Sequence, residues 1–276
     1  MEGGLYRLQR QVAEGPDRRI ADMLAFKLLL TPILLGLVSL AGRRWGPTVS
    51  GWLIGLPLTA GPVVLFLALD QGTVFASRAA QGTLLGLISV TGFCLAYSWL
   101  SLRLGWLYCV LVGWGVFFAL TAVLERISLP LVLAFAGVVS CLVVILKLLP
   151  DYQDQGVVTR SPQWETLLRM LVGTAFVVGL TSVAGHLGPQ LSGLLTTFPV
   201  FASILATFTH HFQGAASARR LLRGVVAGFF TFAIFFLIIA GLVERWGIVA
   251  TFGGAILVAL LMHGGSLFLL RRYNLH

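Results

Sequence analysis

Apolar residues run along this chain in long stretches, broken by short polar or glycine-rich intervals. A membrane-crossing helix needs ~20 mostly apolar residues. Nine stretches of that kind are read at 24–42, 48–69, 79–100, 105–124, 129–149, 166–185, 190–209, 221–242 and 247–270. Most connections between them are a few residues long, which leaves little room for a soluble domain. The runs are too long for barrel strands and lack the strict alternation of a strand. The pattern therefore predicts an all-α polytopic membrane protein. The stretch at 24–42 has a signal-like apolar core, but no cleavage-like break and polar mature domain follow it, so it is read as a retained first span.

The runs also repeat. Sliding the chain by 142 residues lays Gly46–Gly86 over Gly188–Gly228 with 14 of 41 positions identical and no gap. The matches include Gly46/Gly188, Pro57/Pro199, Gln71/Gln213, Arg78/Arg220 and Gly82/Gly224. This divides the chain into an N-terminal polar tail (1–23), a first membrane repeat (24–125), a linking helix with a polar connector (126–165) and a second repeat (166–276). Each repeat has four spans, and the linker adds one. Five crossings then separate the two starts, and an odd number inverts the second copy relative to the first. The expected architecture is two inverted four-helix repeats related by a pseudo-two-fold axis in the membrane plane.

Composition supports the membrane class. The chain is 58% hydrophobic and 11% charged, with a net charge of +9. Arginine supplies 17 of the 19 basic residues, and these sit at span ends, where headgroups and topology account for them. No basic run is interleaved with aromatics, so nucleic acid is not an expected partner. Counting charges by side gives eleven against eight, leaning toward a cytoplasmic C-terminus. The arginines of the N-terminal tail oppose that lean, and a start at Met23 would remove the conflict. Cys94, Cys109 and Cys141 all lie in apolar spans without metal-ligand spacing and are read as small packing residues.

The segment SGLLTTFPVFAS (Ser192–Ser203), with its degenerate copy SGWLIGLPLTAG (Ser50–Gly61), resembles the small four-span membrane proteins of the GlpM-like group. The likeness runs through the following arginine-containing loop to the closing helix of each half. It implies two such units fused in opposite orientation through one added span. Repeat one departs from the pattern, with Leu56 and Leu58 beside its proline where repeat two has Phe198 and Val200. The resemblance carries architecture, not an activity.

Several residues are candidates for chemistry. Pro57 and Pro199 lie inside apolar spans, where proline removes a donor and clashes with the preceding turn. Thr59, Thr196, Thr197 and Ser203 stand near them and offer hydroxyls for freed carbonyls or for substrate. Broken helices at matching positions of inverted halves point to a midplane substrate site; ordinary kinks satisfied by neighbouring hydroxyls are the plainer explanation. Asp70, His210 and His263 are titratable groups in or beside apolar runs and serve as coupling candidates. For Asp70 and His210 the alternative is a solvated loop, and for His263 a hydrogen-bonded structural role. Arg78 and Arg220 are matched candidates for anion contacts, or for headgroup snorkelling. Gly82–x3–Gly86 and Gly224–x3–Gly228 suit close helix packing.

No protease, esterase or nucleotide-binding signature is present in the sequence. The chain is expected to be non-enzymatic, with no cofactor and no metal site. Its expected partners are the lipid bilayer and a small-molecule or lipid substrate, and its expected place is the plasma (inner) membrane, as a multi-pass protein. The leading functional expectation is a secondary transporter or flippase. The alternative is a non-catalytic scaffold or accessory subunit of an envelope or polysaccharide biogenesis system.

Overall fold

A computed structural model describes residues 16–58, 60–127, 129–150, 162, 164–184 and 198–272. These residues form nine helices in an all-α arrangement: α1 (Pro16–Trp45), α2 (Pro47–Ile54), α3 (Ala60–Gln71), α4 (Thr73–Leu100), α5 (Trp106–Leu124), α6 (Leu131–Leu148), α7 (Trp164–Ala184), α8 (Val200–Gln213) and α9 (Ala215–Arg272). Among the described residues, four helices are long and apolar enough to cross a membrane: α4, α5, α6 and α9. Leu111, Val112 and Phe118 on α5, and Val132, Leu133 and Val144 on α6, are exposed. An apolar outer face of this kind suits lipid chains rather than water.

The longest helix is two arms. Gly247 breaks it with φ 73° and ψ 176°, a backbone region open to glycine and costly for other residues. The arms fold back on each other, since Phe235 and Phe252 have ring centroids 6.5 Å apart. His263 also reaches Thr231 at 3.2 Å. In one straight helix those last two residues would be roughly 48 Å apart, at 1.5 Å per residue.

Helix boundaries differ from the apolar runs in an informative way. The spans read as starting at 79 and 221 begin instead at Thr73 and Ala215, directly after Gly72 and Gly214. Those two glycines share one conformation, φ 86° and ψ 173° against φ 87° and ψ 168°. Each amide also donates in the same helix-end register, Gly72 N–H to Ala68 O and Gly214 N–H to His210 O, both at 3.1 Å. Local structure thus recurs at the 142-residue offset seen in the sequence.

Helices α2 and α9 meet backbone to backbone. A Cβ built on Gly224 would lie 2.1 Å from the Thr48 carbonyl oxygen, and one on Gly51 only 1.8 Å from that of Leu221. Gly55 and Gly228 are equally close to each other. Small residues at the contact let dispersion act between backbones where lipid offers no hydrophobic drive. The matched Gly82 is different: a Cβ there would meet nothing within 4 Å.

Candidate functional site

The two prolines share a local setting. Around Pro57, α2 stops at Ile54 and α3 starts at Ala60; α8 starts at Val200, immediately after Pro199, and residues 185–197 lie outside the described ones. Leu58 N–H donates to Leu56 O at 2.8 Å, and Val200 N–H donates to Phe198 O at 2.8 Å. Each proline is therefore the centre of a three-residue turn, and Pro199 has φ −76° and ψ 54°, close to an inverse γ-turn. The proline carbonyl then starts the next helix, accepting from Gly61 N–H (2.9 Å) in one case and Ser203 N–H (2.8 Å) in the other. The Leu56, Pro57, Phe198 and Pro199 carbonyls are thus taken by backbone donors. Proline fits because the turn needs its φ and asks for no N–H at that position.

A cavity of about 80 Å³ adjoins Pro199 and reaches the break between α2 and α3. Ile54 and Ala60 border it from one side, Pro199 and Ala202 from another, and Thr83 and Phe229 from the long helices. Its walls are apolar except for Thr83, whose hydroxyl donates to Ala79 O at 2.9 Å. Phe198 also lines the cavity and leans into an aromatic cluster, 5.4 Å from Trp114 and 5.4 Å from Phe117 between ring centroids. Ser203, read from the sequence as a substrate hydroxyl, accepts a 2.9 Å hydrogen bond from the Trp114 indole N–H. It ties α8 to α5. Pro57 is buried but does not line the cavity.

A second, polar cavity lies where α1, α2, α7, α8 and α9 converge. It holds about 20 Å³, roughly the room one water needs, and is bordered by Ser39, Arg43, Ser50, Glu165, Arg169 and Thr209 among others. Arg169 pairs with Glu165 one helical turn away and donates to Thr209 Oγ1 at 3.2 Å. Both ions are buried, Glu165 at 1% exposure and Arg169 at 5%. Burying an ion costs several kcal/mol, which pairing offsets only when geometry and further hydrogen bonds are good. Arg43 sits at the rim, donating to the Pro162 carbonyl.

Sequence reading missed this pair. It placed Arg169 among boundary charges facing headgroups, whereas the structure buries it inside α7. A glutamate four residues before an arginine at the head of an apolar span was the available signal. The pair has no counterpart in the first half, where the residues 142 positions earlier are Met23 and Lys27.

The remaining candidates are scattered. His210 Nδ1 lies 3.3 Å from the Tyr97 hydroxyl, joining α8 to α4. His263 is stacked on Trp52. Arg78 is exposed in the second turn of α4, while Arg220 reaches Ser217 Oγ at 3.2 Å. Thr59, Thr196 and Thr197 lie outside the described residues, as does the Asp70 side chain. Among the described residues no group of three or more His, Cys, Asp or Glu side chains is placed to hold a metal ion. No protein-family model matches this chain, and neither does any curated protein or solved structure.

Proposed function

We propose that the chain is a small secondary transporter or flippase in which two inverted halves exchange access to a site between the broken helices. One observation carries this reading. The apolar cavity is bordered by Ala60 with Ala202, Leu87 with Phe229 and Val90 with Phe232, and each pair is 142 residues apart. Positions related by an internal two-fold meet across its axis, so walls made of such pairs favour repeats facing each other. The odd number of apolar segments between the repeat starts favours opposite orientation. The GlpM-like resemblance supports the same plan of two fused units.

At about 80 Å³ the cavity is well below the roughly 300–1,000 Å³ of a small-molecule site. In this reading it is the closed form, and rocking of one half against the other opens it. Apolar walls with one threonine suit the acyl or ring portion of a lipid or amphiphile better than a sugar or an ion.

Inversion is tested by single cysteines at Thr73 and Ala215 in a chain with Cys94, Cys109 and Cys141 replaced. An impermeant maleimide applied to sealed vesicles of known sidedness should label the two positions from opposite faces. Labelling of both from one face refutes the inverted architecture. Pro57→Ala and Pro199→Ala should then impair lipid or amphiphile movement across proteoliposomes while the protein remains inserted.

The accessory-subunit reading draws on the same small cavity and on the glycine contacts between α2 and α9, which suit a fixed scaffold. Co-purification of a stoichiometric envelope-biogenesis partner, with no transport in reconstituted vesicles, would favour it.

A further inference from the structure

We propose that the polar cavity between α1, α2, α7, α8 and α9 binds one inorganic anion of halide size. Three buried polar atoms on its walls have no hydrogen-bond partner: Ser39 Oγ, Ser50 Oγ and Arg169 Nε. Their side chains are all more than nine-tenths buried, Ser39 at 4% and Ser50 at 2% exposure. Unsatisfied polar atoms of this kind are rare in folded proteins, and three around one cavity point to an occupant.

The chemistry of the walls selects its sign. Guanidinium nitrogens only donate, and the two serine hydroxyls are able to donate, so all three groups on the walls can serve as donors. Arg43 and Arg169 set two positive charges against the single carboxylate of Glu165. A cation would face two guanidinium groups, whereas an anion gains a charge-assisted hydrogen bond from Arg169. The volume of about 20 Å³ excludes a phosphate or carboxylate ligand but accepts a single-atom anion. Arg43 is exposed as well as lining the cavity, which gives the ion a route from solvent. Glu165 is the one buried carboxylate among the described residues. It acts as a tethered competitor that holds Arg169 when the site is empty.

This site stands apart from the transport reading, because occupancy is measured at equilibrium without a gradient. The test is binding of radiolabelled chloride to the purified full-length protein in detergent, with gluconate balancing ionic strength and bromide as competitor. Saturable binding near one ion per chain is expected. Arg169→Gln should weaken it by ~10-fold or more and Ser50→Ala severalfold, as loss of donors to a charge requires. Glu165→Gln should tighten it severalfold by removing the competitor. Arg103→Gln, at an exposed position after α4, should leave it unchanged.

No saturable binding by helical, monodisperse wild-type protein would overturn the proposal and assign the cavity to a water. So would Glu165→Gln weakening binding as Arg169→Gln does, since the pair would then be structural only. Equal loss in Arg103→Gln would reduce the effect to general surface charge and overturn it too. Ser50→Ala keeps the test decisive if the charge variants fail to fold.

Discussion

Trp52 lies flat against His263, with ring centroids 3.5 Å apart and planes 16° from parallel. The stack fastens α2 of the first half to the far arm of α9, while Thr231 on the near arm meets the same imidazole at Nδ1, 3.2 Å away. Three segments distant in sequence close on one buried histidine. An imidazole inside an apolar bundle needs such partners, because no water is there to replace them.

Replacing His263 by alanine should therefore destabilise the fold by about 2–4 kcal/mol, through the lost stack, the lost hydrogen bond and the cavity left behind. Trp52→Ala should fall in the same range. The double variant should cost less than the two singles together, with a coupling of roughly 1 kcal/mol. Denaturant unfolding in micelles, followed by far-ultraviolet circular dichroism, measures all three. Strict additivity would mean that the stack contributes nothing beyond each ring's own packing.

The matched glycines should respond unequally. Gly224→Val places methyl groups where the Thr48 carbonyl and the Trp52 amide already lie, within 3 Å of a built Cβ. Backbone cannot yield cheaply, so the variant should lose more than ~3 kcal/mol or fail to fold. Gly82→Ala meets open space and sits inside a helix, where alanine gains up to about 1 kcal/mol over glycine. Size-exclusion profiles of detergent extracts separate the two outcomes. Aggregation of Gly82→Ala would reveal a contact at that face.

Ser203→Ala should strand the Trp114 indole N–H, which donates to it at 2.9 Å across α8 and α5. A fully buried donor left unmade costs ~1–3 kcal/mol, and Trp114 is half-buried, so the loss should fall at the lower end of that range. Trp114→Phe removes the donor instead and leaves a hydroxyl able to turn elsewhere. Combining both should restore part of the loss, since neither orphan then remains. Thermal melts of the three variants in one detergent give the comparison. A double variant as poor as the sum would show that the bond is not the source of either loss.

Much of this arrangement could be read from the chain, and the parts that could not share a physical cause. Apolar run length marked the long apolar helices α4, α5, α6 and α9, and the 142-residue identity paired Pro57 with Pro199, each followed by a helix start. The helix starts at Thr73 and Ala215 escaped because hydropathy registers burial in an apolar medium, whereas the start is set by the backbone of Gly72 and Gly214. Their first turns are moderately polar and read as loop. Glu165 and Arg169 escaped for a related reason: charges beside a span are commonly solvated. Only the packing of α1 and α8 against α7 removes the water. The Trp114–Ser203 bond joins residues 89 positions apart and has no local signature.

Gly72 and Gly214 give a test of equivalence that requires no substrate. Both have φ near +87° with extended ψ, and an added Cβ would meet nothing within 4 Å at either. Substitution by alanine therefore costs backbone strain alone, ~1–3 kcal/mol in a region that is nearly glycine-only. Because the two turns share dihedrals and hydrogen-bond register, the penalties should agree within about 0.5 kcal/mol, and as sites that share no contacting neighbour they should add. Denaturant midpoints of Gly72→Ala, Gly214→Ala and the double variant provide the numbers. A tolerated Gly72→Ala beside a damaging Gly214→Ala would mean that the halves share a sequence pattern without sharing its constraint. Equal and additive losses would mean that each half needs the same sharp turn between the short helix before the glycine and the long one after it.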